Sequence, residues 1–279
     1  MSFTGAAVVA GVAGWPISHT QSPRIHNYWL QKYGIDGVYV PFAMDPSGAA
    51  EALRLIPSLG LAGMNVTVPY KEVAFRVMDE VDLWAKKLKA VNTIVVRDGK
   101  LHGTNTDAYG FFESLRETCP TWRGDMGPVV VIGAGGGARS IVAGLKDAGV
   151  PEIRVTNRTS ERVQALKSEF GMPIEGVSWE MRAEALDGAV LLVNTTTLGM
   201  TGQPPLDLPL GALPSDASVC DIVYDPIETP LLAAARARGN VVVGGLGMLL
   251  HQARPGFREW FGVDPEVDRS LRDHVLAAL

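Results

Sequence analysis

Short apolar runs recur along this chain, and between them lie longer stretches whose apolar positions return at helical spacing. Residues 7–13 read as a first buried strand. Ser22-Pro23 then opens a helix, with serine at the cap and proline at the first helical position. That helix runs through Ile25, Trp29 and Tyr33 and stops at Gly34. Residues 38–44 form a second strand, Ser47 starts a second helix ending near Gly60, and residues 62–68 form a third strand. A helical pattern follows from residue 70 to about residue 89. Residues 93–97, the pair Asp98-Gly99 and residues 100–102 read as a strand, a type I′ turn and a returning strand. Strands alternating with helices imply a mostly parallel sheet and an α/β class.

A helix over residues 109–118 leads into a loop, 118–128, that holds Pro120, Gly124, Gly127 and Pro128. The second half opens on Val129-Val130-Val131-Ile132, apolar enough for a strand buried on both faces. Further strands are predicted at 153–156, 189–194, 219–223 and 241–243. The last segment, 248–279, is helical and has no strand to pair with, so it is expected to pack back across the domain boundary. The expected organisation is an α/β domain over 1–118, a Rossmann domain over 119–247 and returning helices over 248–279.

Composition narrows the possible partners. The 279 residues carry a net charge of −5, which argues against nucleic acid or an anionic membrane as the main partner. Cys119 and Cys220 form no CxxC pair, and the five histidines show no metal-ligand spacing, so no metal is expected. The N-terminal stretch lacks the basic region of a signal peptide, and no apolar run is long enough to span a bilayer. The expected location is cytoplasmic.

Candidate chemistry begins at the glycines. Gly133-Ala134-Gly135-Gly136-Gly137-Ala138 follows the buried strand directly and fits GxGxxG/A. The first glycine makes a tight turn, the second admits a pyrophosphate against the backbone, and a small third residue lets helix and sheet pack closely. The helix N-terminus offers free N–H groups to the phosphates. The next strand ends in Asn157-Arg158-Thr159. An NAD site usually carries an acidic residue there for the ribose 2′-hydroxyl, whereas a guanidinium pairs with a 2′-phosphate. The predicted cofactor is therefore NADP(H). In the first half, Lys71 closes the run Asn65-Val66-Thr67-Val68-Pro69-Tyr70-Lys71, and Asp107 closes Asn105-Thr106-Asp107. Lysine and aspartate can handle a proton together if they meet, and with a dinucleotide they point to carbonyl/alcohol redox chemistry. The plainer alternatives are a solvated lysine at a helix start and an aspartate that caps the following helix.

These blocks resemble the shikimate dehydrogenase family. The resemblance rests on residues 14–23, Asn65 to Lys71, Ala90-Val91-Asn92-Thr93, Asn105-Thr106-Asp107, the glycine turn, Asn157-Arg158-Thr159 and residues 245–252, in the family's order. It implies reversible reduction of 3-dehydroshikimate to shikimate with NADPH, with a substrate domain first, a nucleotide domain second and the site in the cleft between them. It also implies roles. Lys71 and Asp107 would be catalytic. Thr20, Ser22 and Tyr224 would hold the substrate carboxylate, and Asn65, Thr67, Asn92, Asp107 and Gln252 the ring hydroxyls. Ile222 and Gly245 would lie by the nicotinamide. Three positions depart from the family pattern: Thr20 where serine is usual, Ala108 where glycine is common and Gly244 where aspartate is common. Thr20 bears on substrate choice and keeps a quinate/shikimate or aminoshikimate-type enzyme as the alternative. A non-catalytic NADP-binding regulator would be expected to lack Lys71 or Asp107, and a one-carbon folate dehydrogenase of related architecture is disfavoured by the Asn105-Thr106-Asp107 block and the hydroxyl pair. A monomer or homodimer is expected.

Overall fold

A computed structural model describes residues 3–279, so the first two residues of the expected first domain lie outside it. The chain divides into two compact units. One runs to Thr106 and resumes at Gln252–Leu279, and the other is Asp107–His251. The sequence placed these breaks later, at 118/119, and earlier, at 247/248. The structure assigns the helix over 107–118 to the second unit and the start of the last long helix likewise.

The first unit holds a six-stranded sheet built from β1 (Val8–Gly14), β2 (Gly37–Ala43), β3 (Gly63–Val66), β4 (Glu80–Val81), β5 (Thr93–Arg97) and β6 (Lys100–Thr104). Their order is β2-β1-β3-β5-β6-β4. The β2-β1-β3 and β6-β4 neighbours are parallel, while β3-β5-β6 is antiparallel. Asp98 and Gly99 both have positive φ, 51° and 73°, as the type I′ hairpin turn between β5 and β6 requires. Helix α1 (Ser22–Lys32) ends as expected, with Gly34 at φ 64° and Ile35 N–H closing back on Leu30.

Three local expectations fail in this unit. Ser22 does not cap α1. Gln21 takes the cap position without a side-chain bond, and the Ser22 N–H instead reaches Thr20 Oγ1 at 3.4 Å. The helix from Ser47 is a 3-10 turn, Pro46–Gly48, then a short α2 (Ala49–Arg54) followed by turns to Gly60. The long helix from 70 to 89 is two helices, α3 (Lys71–Val77) and α4 (Leu83–Leu88), with β4 between them. Asp79 explains the break: its N–H donates to Leu101 O, and its carboxylate accepts from Leu101 N–H, so β6 draws this segment into the sheet.

The second unit is doubly wound. Its strands are β7 (Val129–Ile132), β8 (Ile153–Thr156), β9 (Ile174–Val177), β10 (Leu191–Asn194), β11 (Ser218–Asp221) and β12 (Val241–Val243). They lie in the order β12-β11-β10-β7-β8-β9, every pair parallel. Counted from β7 this is the 3-2-1-4-5-6 order of the Rossmann fold. Sequence periodicity missed β9, whose pattern is broken by Gly176. All four β7 residues are fully buried, as a central parallel strand demands. Helices α5 (Asp107–Thr118), α6 (Gly136–Asp147), α7 (Ser160–Phe170) and α8 (Pro230–Ala237) complete the unit.

Helix α9 (Gly245–Phe261) begins in the second unit and continues into the first, where α10 (Arg269–Leu276) follows. The returning part is well anchored. Trp260 Nε1 donates to Ile94 O at 2.9 Å, Trp29 Nε1 donates to Glu266 O at 2.9 Å, and Phe257 is fully buried.

A candidate dinucleotide and substrate site

In the second unit the glycine turn sits at the C-terminal end of β7, in the middle of the parallel sheet. Gly133 has φ 112°, and a Cβ there would lie 2.5 Å from Thr195 Oγ1, so both backbone and space require glycine. Gly135 occupies the cap of α6 and makes no side-chain cap bond, and open space lies over Gly135 and Gly136. The first N–H groups of α6 therefore face a clear approach, with the helix dipole favouring an anion. Ala134 is buried, and Ala138 is fully buried between helix and sheet. Gly137 faces Ile222, whose Cδ1 would lie 3.0 Å from an added Cβ. Gly245 in turn is pressed onto the Ile222 carbonyl, 2.2 Å from where a Cβ would be, so no larger residue fits there.

Asn157, Arg158 and Thr159 follow β8. Asn157 Nδ2 donates to Thr159 O at 2.9 Å, tightening the turn. Arg158 is exposed and has no hydrogen bond or ion pair among the described residues, so its guanidinium is uncommitted. The backbone and charge present thus fit a dinucleotide with an added phosphate.

One buried network was not legible in the motifs. Asp221 ends β11, and its carboxylate accepts from Asn194 Nδ2 at 3.0 Å, Val223 N–H at 3.0 Å and Thr229 Oγ1 at 2.8 Å. Asn194 Oδ1 accepts from Thr196 N–H and its hydroxyl. The network ties together the loops after β10 and β11 that border the glycine turn. Burial pushes the Asp221 carboxyl up, and these three donors pull it back. Tyr224, half-buried, follows in the same loop; burial, then the nearby Asp225 charge, raises its phenol.

In the first unit most of the predicted polar residues gather at the C-terminal ends of β1 and β3 and around the start of β5. Thr20 and Ser22 lie on the turn into α1. Asn65 is buried on β3, with Nδ2 donating to Asn92 O at 3.2 Å and to Thr93 Oγ1 at 3.0 Å. Thr67 follows β3, its N–H on Ala13 O. Lys71 is the first residue of α3, and its carbonyl accepts from Val91 N–H at 2.9 Å. Asn92 Oδ1 accepts from Thr106 N–H at 2.9 Å, while Thr106 Oγ1 donates to the Gln252 carbonyl at 2.8 Å. Thr106 therefore gathers Asn92 and Gln252, a role its place in the sequence block did not reveal. Asp107 is the first residue of α5 rather than a cap ahead of it, where its charge suits the helix dipole.

A parallel sheet in this order, with a bare helix N-terminus at the end of its first strand, is the dinucleotide-binding unit of α/β dehydrogenases. Profiles of one family match along the chain: the shikimate dehydrogenase substrate binding domain at residues 12–94, shikimate / quinate 5-dehydrogenase at 123–197 and the shikimate 5′-dehydrogenase C-terminal domain at 245–269. The chain is 57% identical to the shikimate dehydrogenase (NADP(+)) of Paramagnetospirillum magneticum, over 98% of this chain and 100% of that one. Among solved structures it resembles shikimate 5-dehydrogenase from Thermus thermophilus in complex with NADP(H) and shikimate, at 35% identity and TM-score 0.86, covering 98% of this chain and 100% of that one. It also resembles quinate dehydrogenase from Corynebacterium glutamicum in complex with NAD, at 32% identity and TM-score 0.90, covering 97% and 99%. The chain belongs to the shikimate dehydrogenase family.

Proposed function

We propose that this chain catalyses the reversible, NADPH-dependent reduction of 3-dehydroshikimate to shikimate, as a cytoplasmic monomer or homodimer. The observation that carries the reading is the full-length 57% identity to an NADP-dependent shikimate dehydrogenase. The uncommitted Arg158 at the end of β8 supports NADP over NAD. NADPH, when bound, supplies a hydride to the substrate's carbonyl carbon.

The chain's own residues manage the rest. Lys71 gives a proton to the carbonyl oxygen and takes it back in the reverse direction. Asp107 accepts a hydrogen bond from the reacting hydroxyl and holds it for Lys71. Thr20, Ser22 and Tyr224 offer hydroxyl donors to the substrate carboxylate while adding no charge. Asn65, Thr67, Asn92 and Gln252 face the ring hydroxyls with amide and hydroxyl groups. The turn at 133–138, with Asn157, Arg158 and Thr159, would hold the cofactor phosphates, and Ile222 and Gly245 would lie by its nicotinamide.

The quinate branch is the second reading, favoured by the likeness to the C. glutamicum enzyme and by the extra methyl of Thr20. One assay separates them. Reduced nicotinamide is followed with shikimate or quinate, each with NADP or NAD. The expected result is strong shikimate/NADP activity, falling by about 10²- to 10⁴-fold in Lys71→Ala while NADPH still binds. Equal or greater quinate activity would move the chain to the other branch, and near-normal turnover in Lys71→Ala would remove that lysine from the chemistry.

A further inference from the structure

A buried tyrosine lies behind the proposed substrate site and holds one of its residues. Tyr39 lies on β2, paired with Ala10 on β1, which in turn pairs with Gly63 on β3. Asn65 is two residues further along β3 and therefore on the same face as Tyr39. Only the methyl of Ala10 stands between the two outer strands at this level, so the phenol can lean across β1. Its O–H donates to Asn65 Oδ1 at 2.6 Å. Tyr39 thus touches a residue assigned to a ring hydroxyl.

The tyrosine is held on every side. Its backbone is clamped by the Asn27 side chain, which accepts from Tyr39 N–H at 3.0 Å and donates to Tyr39 O at 2.8 Å. Its ring stacks on His26, 4.0 Å between centroids and 8° from parallel, with Trp260 5.9 Å away on another side. Only 1% of the residue is exposed. Burial pushes the phenol's pKa well up, so the group keeps its proton at working pH.

The bonds also set the polarity of Asn65. Both Nδ2 hydrogens are spent on Asn92 O and Thr93 Oγ1. What remains toward a ligand is the second lone pair of Oδ1, which can only accept. We infer that Tyr39 is a positioning residue: it fixes Asn65 as a hydrogen-bond acceptor for a substrate hydroxyl. The inference rests on the shikimate dehydrogenase reading above.

Tyr39→Phe removes the hydroxyl and keeps the ring, so the fold is retained. The expected result is a rise of about fivefold to tenfold in the KM for shikimate, the scale of one lost hydrogen bond, with kcat and the KM for NADP within about twofold of wild type. In an Asn65→Ala background the same change should add less than about twofold, because the residue it acts through is gone. An unchanged shikimate KM overturns the assignment. So does an equal rise in both KM values with a lowered melting temperature, or the same factor in the Asn65→Ala background. Wild type that turns over no shikimate with NADP would instead fail the functional reading, and that is seen before any variant is made.

Discussion

His26 is the residue whose chemistry is most altered by where the fold puts it. It is fully buried among Trp29, Tyr39, Phe257 and Trp260. Burial drives its pKa from 6.5 down to about 3; Asn65 pulls the other way, but neither ring nitrogen has a hydrogen bond of good geometry. Between these two pH values the unfolded chain binds a proton that the folded chain refuses. Stability is therefore whole above about pH 6.5 and falls as the pH drops through the window. At the low end the loss is on the order of 4 kcal/mol from this one group. His26→Phe should keep the aromatic stack, change the melting temperature at pH 7 by a few degrees and flatten its decline between pH 6.5 and 4. Melting curves across that range in both proteins check this, and parallel declines would clear His26 of the effect.

At the scale of elements, local chemistry was legible where it decides the structure and illegible where tertiary contacts do. The strand, glycine turn and helix around Gly133 could be read because a positive φ and a bare helix end need those residue types. The Asp98-Gly99 hairpin could be read for the same reason. The break between α3 and α4 could not, because Asp79 leaves its helical pattern only when Leu101 is present to pair with it. Nor could the Thr106 link from Asn92 to Gln252, which joins positions far apart in the chain. Among the site elements, the β8–α7 turn makes the sharpest prediction. Arg158 there has no other partner among the described residues, so Arg158→Asp should cost little stability. Losing one charge-assisted bond to a 2′-phosphate, worth about 1.5–3 kcal/mol, should lower the preference for NADPH over NADH by about 10- to 100-fold. Parallel KM measurements with the two cofactors read it directly, and an unchanged ratio would take Arg158 out of cofactor choice.

Across the whole molecule, the two units have separate cores. One gathers Val130, Leu192, Val219 and Leu232 around the parallel sheet, and the other gathers Leu53, Met64, Tyr70 and Ile94. Each unit holds the two ends of chain that leave it. In the first, Thr106 bonds the Gln252 carbonyl; in the second, His251 Nε2 lies 3.0 Å from Glu117 Oε2 on α5. The proposed cofactor residues, 133–138, 157–159, 222 and 245, all belong to the second unit, whereas Thr20, Ser22, Asn65, Thr67, Asn92 and Gln252 belong to the first. Ligands acting by mass action should therefore leave different signatures. NADP at a hundred times its Kd stabilises by about 2.7 kcal/mol, which for a chain of this size raises the melting temperature by roughly 5–10 °C. Amide exchange should slow first in the peptides of β7–α6 and β8–α7. Shikimate alone should slow exchange around Ser22, Asn65 and Asn92 while leaving β8–α7 unchanged. Protection by NADP centred on β1–β3 would mean that the glycine turn is not the phosphate site, whatever its geometry suggests.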